Sequence, residues 1–440
     1  MFGNPSHIAI LGSGPTAYIA AKKFLDSGVT PTVFMIRENS DSCEKDPDIY
    51  QFPHNLSRPD KREFFRKKMD FPGVQALNAS IAETKLIGGL GNFWGGVCFP
   101  VSYEELSRIG ISRSQYDEYS HELIRTLNIS SIENHLWREF ESPSNSEYIY
   151  DKPILAMGTL NSAWNPRFLW NELVQRGAKI VWGYVEECVE SEKAVAIFYR
   201  SNNDTIKNLE FEYVFSALGP FGNAKLILKH SPHLEKVMIS DSAVEYRLVL
   251  TKFSRKSFDI NFPVGCLRIN GAWRTKMPEN NLYIQFYELT NELLQFITPL
   301  YLRMLVTPFW LVLRYFTEIA VMLYPEESSD SIKLSLRTDG SFEFSSEEKK
   351  GQKNTTNPKF RRYMWKVGRI SLPIKIRQEP GSSVHSGAIF SRNTKLIPSK
   401  RIQYLGSSSL ARIPAGPITF ASLLQCMFAV DTVLKNEIKT

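Results

Sequence analysis

Apolar and polar residues follow several different rhythms along this chain. Near the start, Ile8, Ala9, Ile10 and Leu11 form a short continuous apolar run that Gly12-Ser13-Gly14 breaks at once, and residues 32–36 (TVFMI) form a second. Runs of this length and β-branched character predict strands buried on both faces. Between them the pattern predicts a helix that opens after Gly14 and ends at Gly28. Farther on, residues 244–250, 282–289 and 332–344 alternate with the period of strands, and Asp339-Gly340 within the last marks a hairpin turn. Residues 39–70 and 345–358 are polar and charged, and predict surface loops, the first with a short basic helix near residues 61–68.

The apolar and aromatic run at residues 293–324 behaves differently. Pro299 and Pro308 interrupt it, and its longest charge-free stretch, residues 304–313, is too short to cross a bilayer, which takes about 20 residues. At about 100° per residue, Arg303, Thr307, Arg314 and Glu318 share one helical face within about 60°. A helix of that kind buries the rest of its circumference, either against a sheet or at the surface of a membrane.

Length and composition narrow the class. A chain of 440 residues with 43% hydrophobic content can bury two substantial cores, or one large core with an inserted domain. A net charge of +7 suits an anionic substrate or an acidic membrane surface, but lysine and arginine are scattered, with no basic stripe interleaved with aromatics, so no nucleic-acid partner is expected. Cys43, Cys98, Cys188, Cys266 and Cys426 lie far apart with no CxxC pair. They read as reduced, mostly buried thiols rather than a disulfide framework or a zinc module, and no metal site is expected. Residues 1–6 have neither a basic start nor an apolar run, so the protein is expected in the cytoplasm, free or peripheral on the inner face of the membrane.

The strand-turn-helix at residues 7–21 (HIAILGSGPTAYIAA) is the first candidate for chemistry. Gly12 permits the tight turn, Gly14 lets a ligand approach the main chain, and Ala17 is small enough for the helix to pack on the strand. With Ser13, Pro15 and Thr16 these residues present a helix N-terminus to a pyrophosphate, or form a plain structural corner. After the second strand, Arg37 and Glu38 offer Glu38 as the acid that holds a ribose, or simply a solvated charged pair. In residues 88–96 (GGLGNFWGG) five of nine residues are glycine. So many glycines cost entropy, which is explained if a planar cofactor lies against the main chain at Gly88, Gly89, Gly91, Asn92 and Trp94, or if the loop is simply mobile.

In this order the pieces resemble the glucose-methanol-choline (GMC) oxidoreductases and their bacterial sugar- and sterol-oxidising relatives. The resemblance rests on the N-terminal turn, on KLIGGLGNFWGG followed by VCFPVSYEEL at residues 97–106, on GAKIVWGYVEECV at 177–189, and on FEYVFSALGPFGNAKLIL at 211–228. It continues in EPGSSVHSGAIF at 379–390 and YLGSSSLARIPAGPITFASLL at 404–424. What it implies is an α/β protein with a discontinuous Rossmann-like FAD-binding domain, residues 1–230 and 376–440, and a second, sheet-based substrate domain, residues 231–375, carrying the apolar helical segment 293–324. The link between the last two segments is short, as in a divergent, pared-down bacterial-type member.

The resemblance also assigns expected roles. Val185 meets the adenine, Ala217 and Gly219 lie near the cofactor, and Ser407 stands where the family has an aspartate. Main-chain groups at Pro417 and Ile418 meet the flavin ring, and His385 is the catalytic base. The family's second catalytic side chain, an Asn or His, falls on Gly416. The other histidines lie outside residues 88–96, so FAD is expected to bind non-covalently. The implied reaction is oxidation of an alcohol on a sugar, glycan or lipid-linked substrate by hydride transfer to the flavin, His385 taking the proton and an unidentified acceptor, oxygen or another, taking the electrons. Segment 293–324 beside the cavity would then supply a peripheral membrane contact. The departure at Gly416 keeps open a flavin-binding protein without redox turnover, acting at a membrane or with a partner, and also a flavin-dependent sugar isomerase or reductase.

Overall fold

The computed structural model describes residues 8–36, 74–77, 81, 83–84, 86–92, 94, 96–99, 103, 110–130, 146–158, 163–201, 204–231, 233–242, 244–251, 263–270, 282–289, 315–324, 330–347, 358–377, 381, 386–390, 399–410, 413 and 416–435. Arg37, Glu38, Cys43, His385, the basic segment 61–68 and residues 293–314 of the apolar run lie outside the described residues.

The apolar run Ile8–Leu11 is buried along its whole length because it sits in the middle of a seven-stranded sheet. The order is Ile402–Tyr404, Tyr213–Ser216, Ile8–Leu11, Thr32–Met35, Lys179–Glu190, Val195–Ser201 and Ile206–Phe211. The first five strands are parallel, and the last two continue from Lys179–Glu190 as an antiparallel meander. Helix Pro15–Asp26 and the last helix, Thr419–Val433, cover one face, where Ile10, Val33 and Phe215 meet Ala17, Phe24, Phe420 and Leu424. The opposite face buries Ala9, Leu11 and Phe34 against Ile197, Tyr199 and Leu226.

A six-stranded antiparallel sheet forms the second part, in the order Arg369–Arg377, Val244–Thr251, Thr317–Leu323, Leu282–Glu288, Gly265–Ile269, Tyr148–Asp151. Its far face packs Leu282, Ile284 and Phe286 on Phe360, Tyr363 and Met364 of helix Pro358–Lys366. Its near face sends Tyr283, Cys266, Val244 and Leu323 into the same core as the first and last helices. The sheet therefore stands directly over the first part. A five-stranded sheet, Ser386–Phe390, Lys236–Asp241, Asp330–Leu336, Phe342–Glu347 and Val74–Leu77, packs on helix Gly219–His230. Strands from residues 74–77, 148–151 and 386–390 thus join sheets built mainly from residues 231–375.

Several expectations need correction. The predicted helix at 293–324 does not extend through its C-terminal end: Thr317–Leu323 is a strand with partners on both sides. Glu318 is not on a solvent-facing helical stripe; it is 1% exposed and accepts a hydrogen bond from Arg369 Nε at 2.7 Å. In TEIAVML the two-residue alternation wins over the longer period because two neighbouring strands satisfy its backbone. The predicted loop at 345–358 is shorter, since Phe342–Glu347 is strand and helix Pro358–Lys366 opens at the far end. That helix, PKFRRYMWK, also gathers cations and aromatics that composition alone made look scattered. Among the described residues no helix is long and apolar enough to cross a membrane. Cys98, Cys188, Cys266 and Cys426 are buried free thiols. Burial pushes each of them up, Cys188 to about 12 with Glu187 adding to the effect, so they are poor nucleophiles.

Candidate functional site

The N-terminal turn is fixed by its neighbours. Gly12 takes a φ of +108°, and a Cβ there would stand 2.6 Å from the Ala217 carbonyl oxygen. The Gly12 N–H donates to the Phe34 carbonyl and the Ala217 N–H to the Leu11 carbonyl, both at 2.9 Å, so the strands on either side clamp the turn. Ala17 is fully buried behind it. Gly14 has an ordinary φ of −72°, and what matters there is proximity: a Cβ would lie 3.9 Å from the Gly88 carbonyl oxygen and 4.0 Å from Gly89 Cα.

The second glycine segment meets the first main chain to main chain. The Gly88 N–H donates to the Ser13 carbonyl at 3.2 Å, and Trp170 Nε1–H donates to the same oxygen at 2.9 Å. Gly89–Asn92 forms one turn of 3-10 helix against Pro15. Asn92 is 2% exposed and braces the loop from inside: its Nδ2 donates to the Ile87 and Gly89 carbonyls, and its Oδ1 accepts from Asn165 Nδ2 at 2.9 Å. Trp94 directs its N–H to the Trp164 carbonyl and packs edge-on against the Trp164 ring.

A third segment closes the same corner. Gly406 lies so near Thr16 that a Cβ would stand 2.8 Å from Thr16 Oγ1, and its N–H donates to Gln425 Oε1 of the last helix. Buried Asn223 links the adjoining turn to the sheet: Nδ2 donates to Ser408 Oγ at 2.8 Å, and Oδ1 accepts from Ser216 Oγ at 2.6 Å. Ala217 and Gly219 flank the step from that strand into helix Gly219–His230. Val185 is half-buried at an irregular step of strand Lys179–Glu190, packed on the sheet's opposite face.

The final segments come in from the sheets. Gly387 runs so close to Ser407 that a Cβ would lie 2.5 Å from its carbonyl oxygen. Just before it, the buried Asp241 carboxylate accepts from Ser386 Oγ and from the Gly381 N–H, each at 2.7 Å. Both ends of segment 381–386, in whose sequence His385 falls, are thus tied to one carboxylate. Pro417 and Ile418 lead directly into helix Thr419–Val433. Gly416, at φ +105°, faces the ring of Tyr283, whose carbons begin 3.1 Å from where a Cβ would be. The sheet's aromatic ring fills the room that an Asn or His at position 416 would need. On the same strand face as Tyr283, the Tyr287 hydroxyl donates to Gln285 Oε1 at 2.6 Å, and burial holds that phenol above its usual range, hence protonated.

Residues 12–17, 88–92 and 406–407 are therefore brought together, with 416–418 reached through the last helix; Glu38 and His385 lie outside the described residues. The sequence pattern missed Asn165, Trp170, Asn223 and Asp241. An Asn set between Trp164 and Pro166 was the available signal for the first; Asp241 is one acid at the end of a strand and carries none. The corner suits a dinucleotide, since the first-turn N–H groups of helix Pro15–Asp26 have no acceptor inside the helix and the dipole end is positive, the combination that holds phosphate at helix N-termini.

No protein-family model matches the sequence, and no curated protein does. Among solved structures the fold is similar to pyridoxine 4-oxidase from Mesorbium loti, with TM-score 0.65 and 11% identity over 98% of this chain and 100% of that one. It is also similar to a variant of formate oxidase from Aspergillus oryzae, with TM-score 0.63 and 10% identity over 99% of each chain. The described residues thus have the α/β fold of these two proteins, a Rossmann-like part with a sheet-based second part.

Gly12 and Gly14 are expected to separate folding from binding. Gly12→Ala combines a left-handed φ with a backbone clash and is expected to cost about 2 kcal/mol or more in a denaturant melt. Gly14→Ala is expected to move the melting temperature by less than about 3 °C while weakening the binding of a dinucleotide at this corner, with added FAD as the probe, at least about tenfold, a loss of ~1.4 kcal/mol. Unchanged FAD affinity in Gly14→Ala would remove that residue from the ligand's path.

Proposed function

We propose that the chain is an FAD-dependent oxidoreductase that converts an alcohol to the corresponding carbonyl compound, with FAD held non-covalently. The observation that best supports this is the packing of strand Ser386–Phe390 on the turn Gly406–Ser409, which itself packs on Thr16 at the start of the first helix. Through these contacts the residue next to His385 in sequence is joined to the dinucleotide corner. FAD supplies the hydride acceptor when bound. His385 takes the hydroxyl proton as the C–H hydride leaves, and Asp241 acts as a positioning residue through the ends of the segment. Main-chain N–H groups at the start of helix Thr419–Val433 face developing negative charge with a positive dipole end. On the sheet wall, the Tyr287–Gln285 pair offers polar groups to orient the substrate hydroxyl.

The substrate class is an alcohol on a small molecule, sugar, glycan or lipid-linked carrier. The two similar structures are, by name, oxidases of pyridoxine and of formate, which supports small polar substrates. Oxygen or another acceptor reoxidises the enzyme. One observation favours a second reading, FAD binding without turnover: the Tyr283 ring occupies the room of the family's second catalytic side chain at Gly416.

Anaerobic mixing with a panel of alcohols distinguishes the two. Loss of the oxidised flavin spectrum with at least one alcohol is expected, and a spectrum unchanged across the panel would favour binding without turnover. His385→Ala is expected to slow that bleaching at least about 100-fold, and a rate within about threefold of wild type would dismiss it as the base. Asp241→Asn keeps its shape but loses its charge; slower bleaching at unchanged FAD content is expected, whereas loss of FAD together with activity would make Asp241 a general structural residue.

A further inference from the structure

One segment of this protein carries an uncompensated block of positive charge. Residues 358–377 carry Lys359, Arg361, Arg362, Lys366, Arg369, Lys375 and Arg377 with no acidic residue, so these 20 positions hold as much net charge, +7, as the whole chain. Helix Pro358–Lys366 buries Phe360, Tyr363 and Met364 against the six-stranded sheet. At about 100° per residue this leaves Arg361, Trp365, Arg362 and Lys366, in that angular order, across about 140° of the outer face. All four are exposed, Trp365 by 59%. Arg369 is consumed inside by Glu318, and Lys375 lies 3.8 Å from buried Glu245; Arg361, Arg362 and Lys366 have no acidic partner among the described residues. On the inner side of the helix, the Tyr363 hydroxyl donates to exposed Glu147.

Apolar surface adjoins this face. Thr317, Leu250 and Ile370 stand side by side on neighbouring strands. Tyr315 and Phe316, just before Thr317, are therefore at the same end of the sheet as Ile370 and the turn that follows Trp365; each of the three is 43% exposed. In sequence they continue directly from the apolar run that begins at residue 293.

We propose that this end of the six-stranded sheet is a docking surface for a membrane bearing anionic phospholipids. A tryptophan set among arginines and a lysine suits the headgroup region, where the indole ring enters the interface and the cations meet lipid phosphates. Each such cation near the surface contributes roughly 1 kcal/mol, screened by salt. The outer face of a helix is convex and meets a broad surface, whereas single-stranded nucleic acid is held in a groove with stacked bases. The proposal stands whether or not the chain turns over a flavin.

Sedimentation of the full chain with phosphatidylcholine vesicles, with and without phosphatidylglycerol, tests it. Binding to the anionic vesicles at low salt, and little to the neutral ones or at high salt, is expected. Arg361→Gln with Arg362→Gln is expected to weaken that binding about 30-fold at an unchanged melting temperature. Should the double variant melt early, Trp365→Ala alone, at a side chain mostly in solvent, is expected to weaken binding severalfold. Failure to sediment with anionic vesicles at low salt, wild-type binding by the variants, or binding to single-stranded nucleic acid in place of vesicles would each overturn the proposal.

Discussion

No side-chain carbon fits between the turn at Gly12 and the carbonyl of Ala217, and that constraint governs how the molecule is put together. It lets strand Ile8–Leu11 hand over to a helix while the main chain stays bare, and it holds Tyr213–Ser216 hard against the turn. The glycine segment at residues 88–91 then comes up to Gly14, where a Cβ on Gly89 would stand 3.1 Å from Gly14 Cα, and Gly406 to Thr16, where one would stand 2.8 Å from Oγ1. Three stretches, well separated in the sequence, converge on one helix N-terminus. A positive dipole end surrounded by bare main chain is what a pyrophosphate-containing ligand requires.

Glycine alone does not keep such segments in place, because each costs conformational entropy to order. The restraint comes from buried amides and ions whose partners are supplied: Asn92 with Asn165, Asn223 with Ser216 and Ser408, Lys225 with Glu83 at 2.9 Å. A buried polar group left unpaired costs about 1–3 kcal/mol, so each network penalises any other path for the loop it holds. Asp241 applies the same logic to segment 381–386, and the shared core of Tyr283, Cys266, Phe420 and Leu424 fixes the sheet wall above the corner.

Local pattern carried much of this. The first two strands, the helix between them, the alternating strands at 244–250 and 282–289, and the Asp339-Gly340 hairpin are all visible in the sequence because their periodicity and turn chemistry are local properties. Thr317–Leu323 reads as the end of a helix because an apolar run shows its period only once its partners are known, and those strands lie at residues 244–251 and 282–288. The bracing residues were invisible for a related reason: Asn165 and Asp241 gain meaning from atoms 73 and 145 residues away. The approach of the Tyr283 ring to Gly416 is another contact that no scan along the chain reveals.

Whether the corner formed by residues 12–17, 88–92 and 406–407 holds FAD, as proposed, is decided by an absorption spectrum of the purified protein before and after incubation with FAD and removal of the excess. An oxidised-flavin spectrum from a ligand that denaturation releases as unmodified FAD is expected. A folded protein that stays colourless after loading would show that this corner binds no flavin.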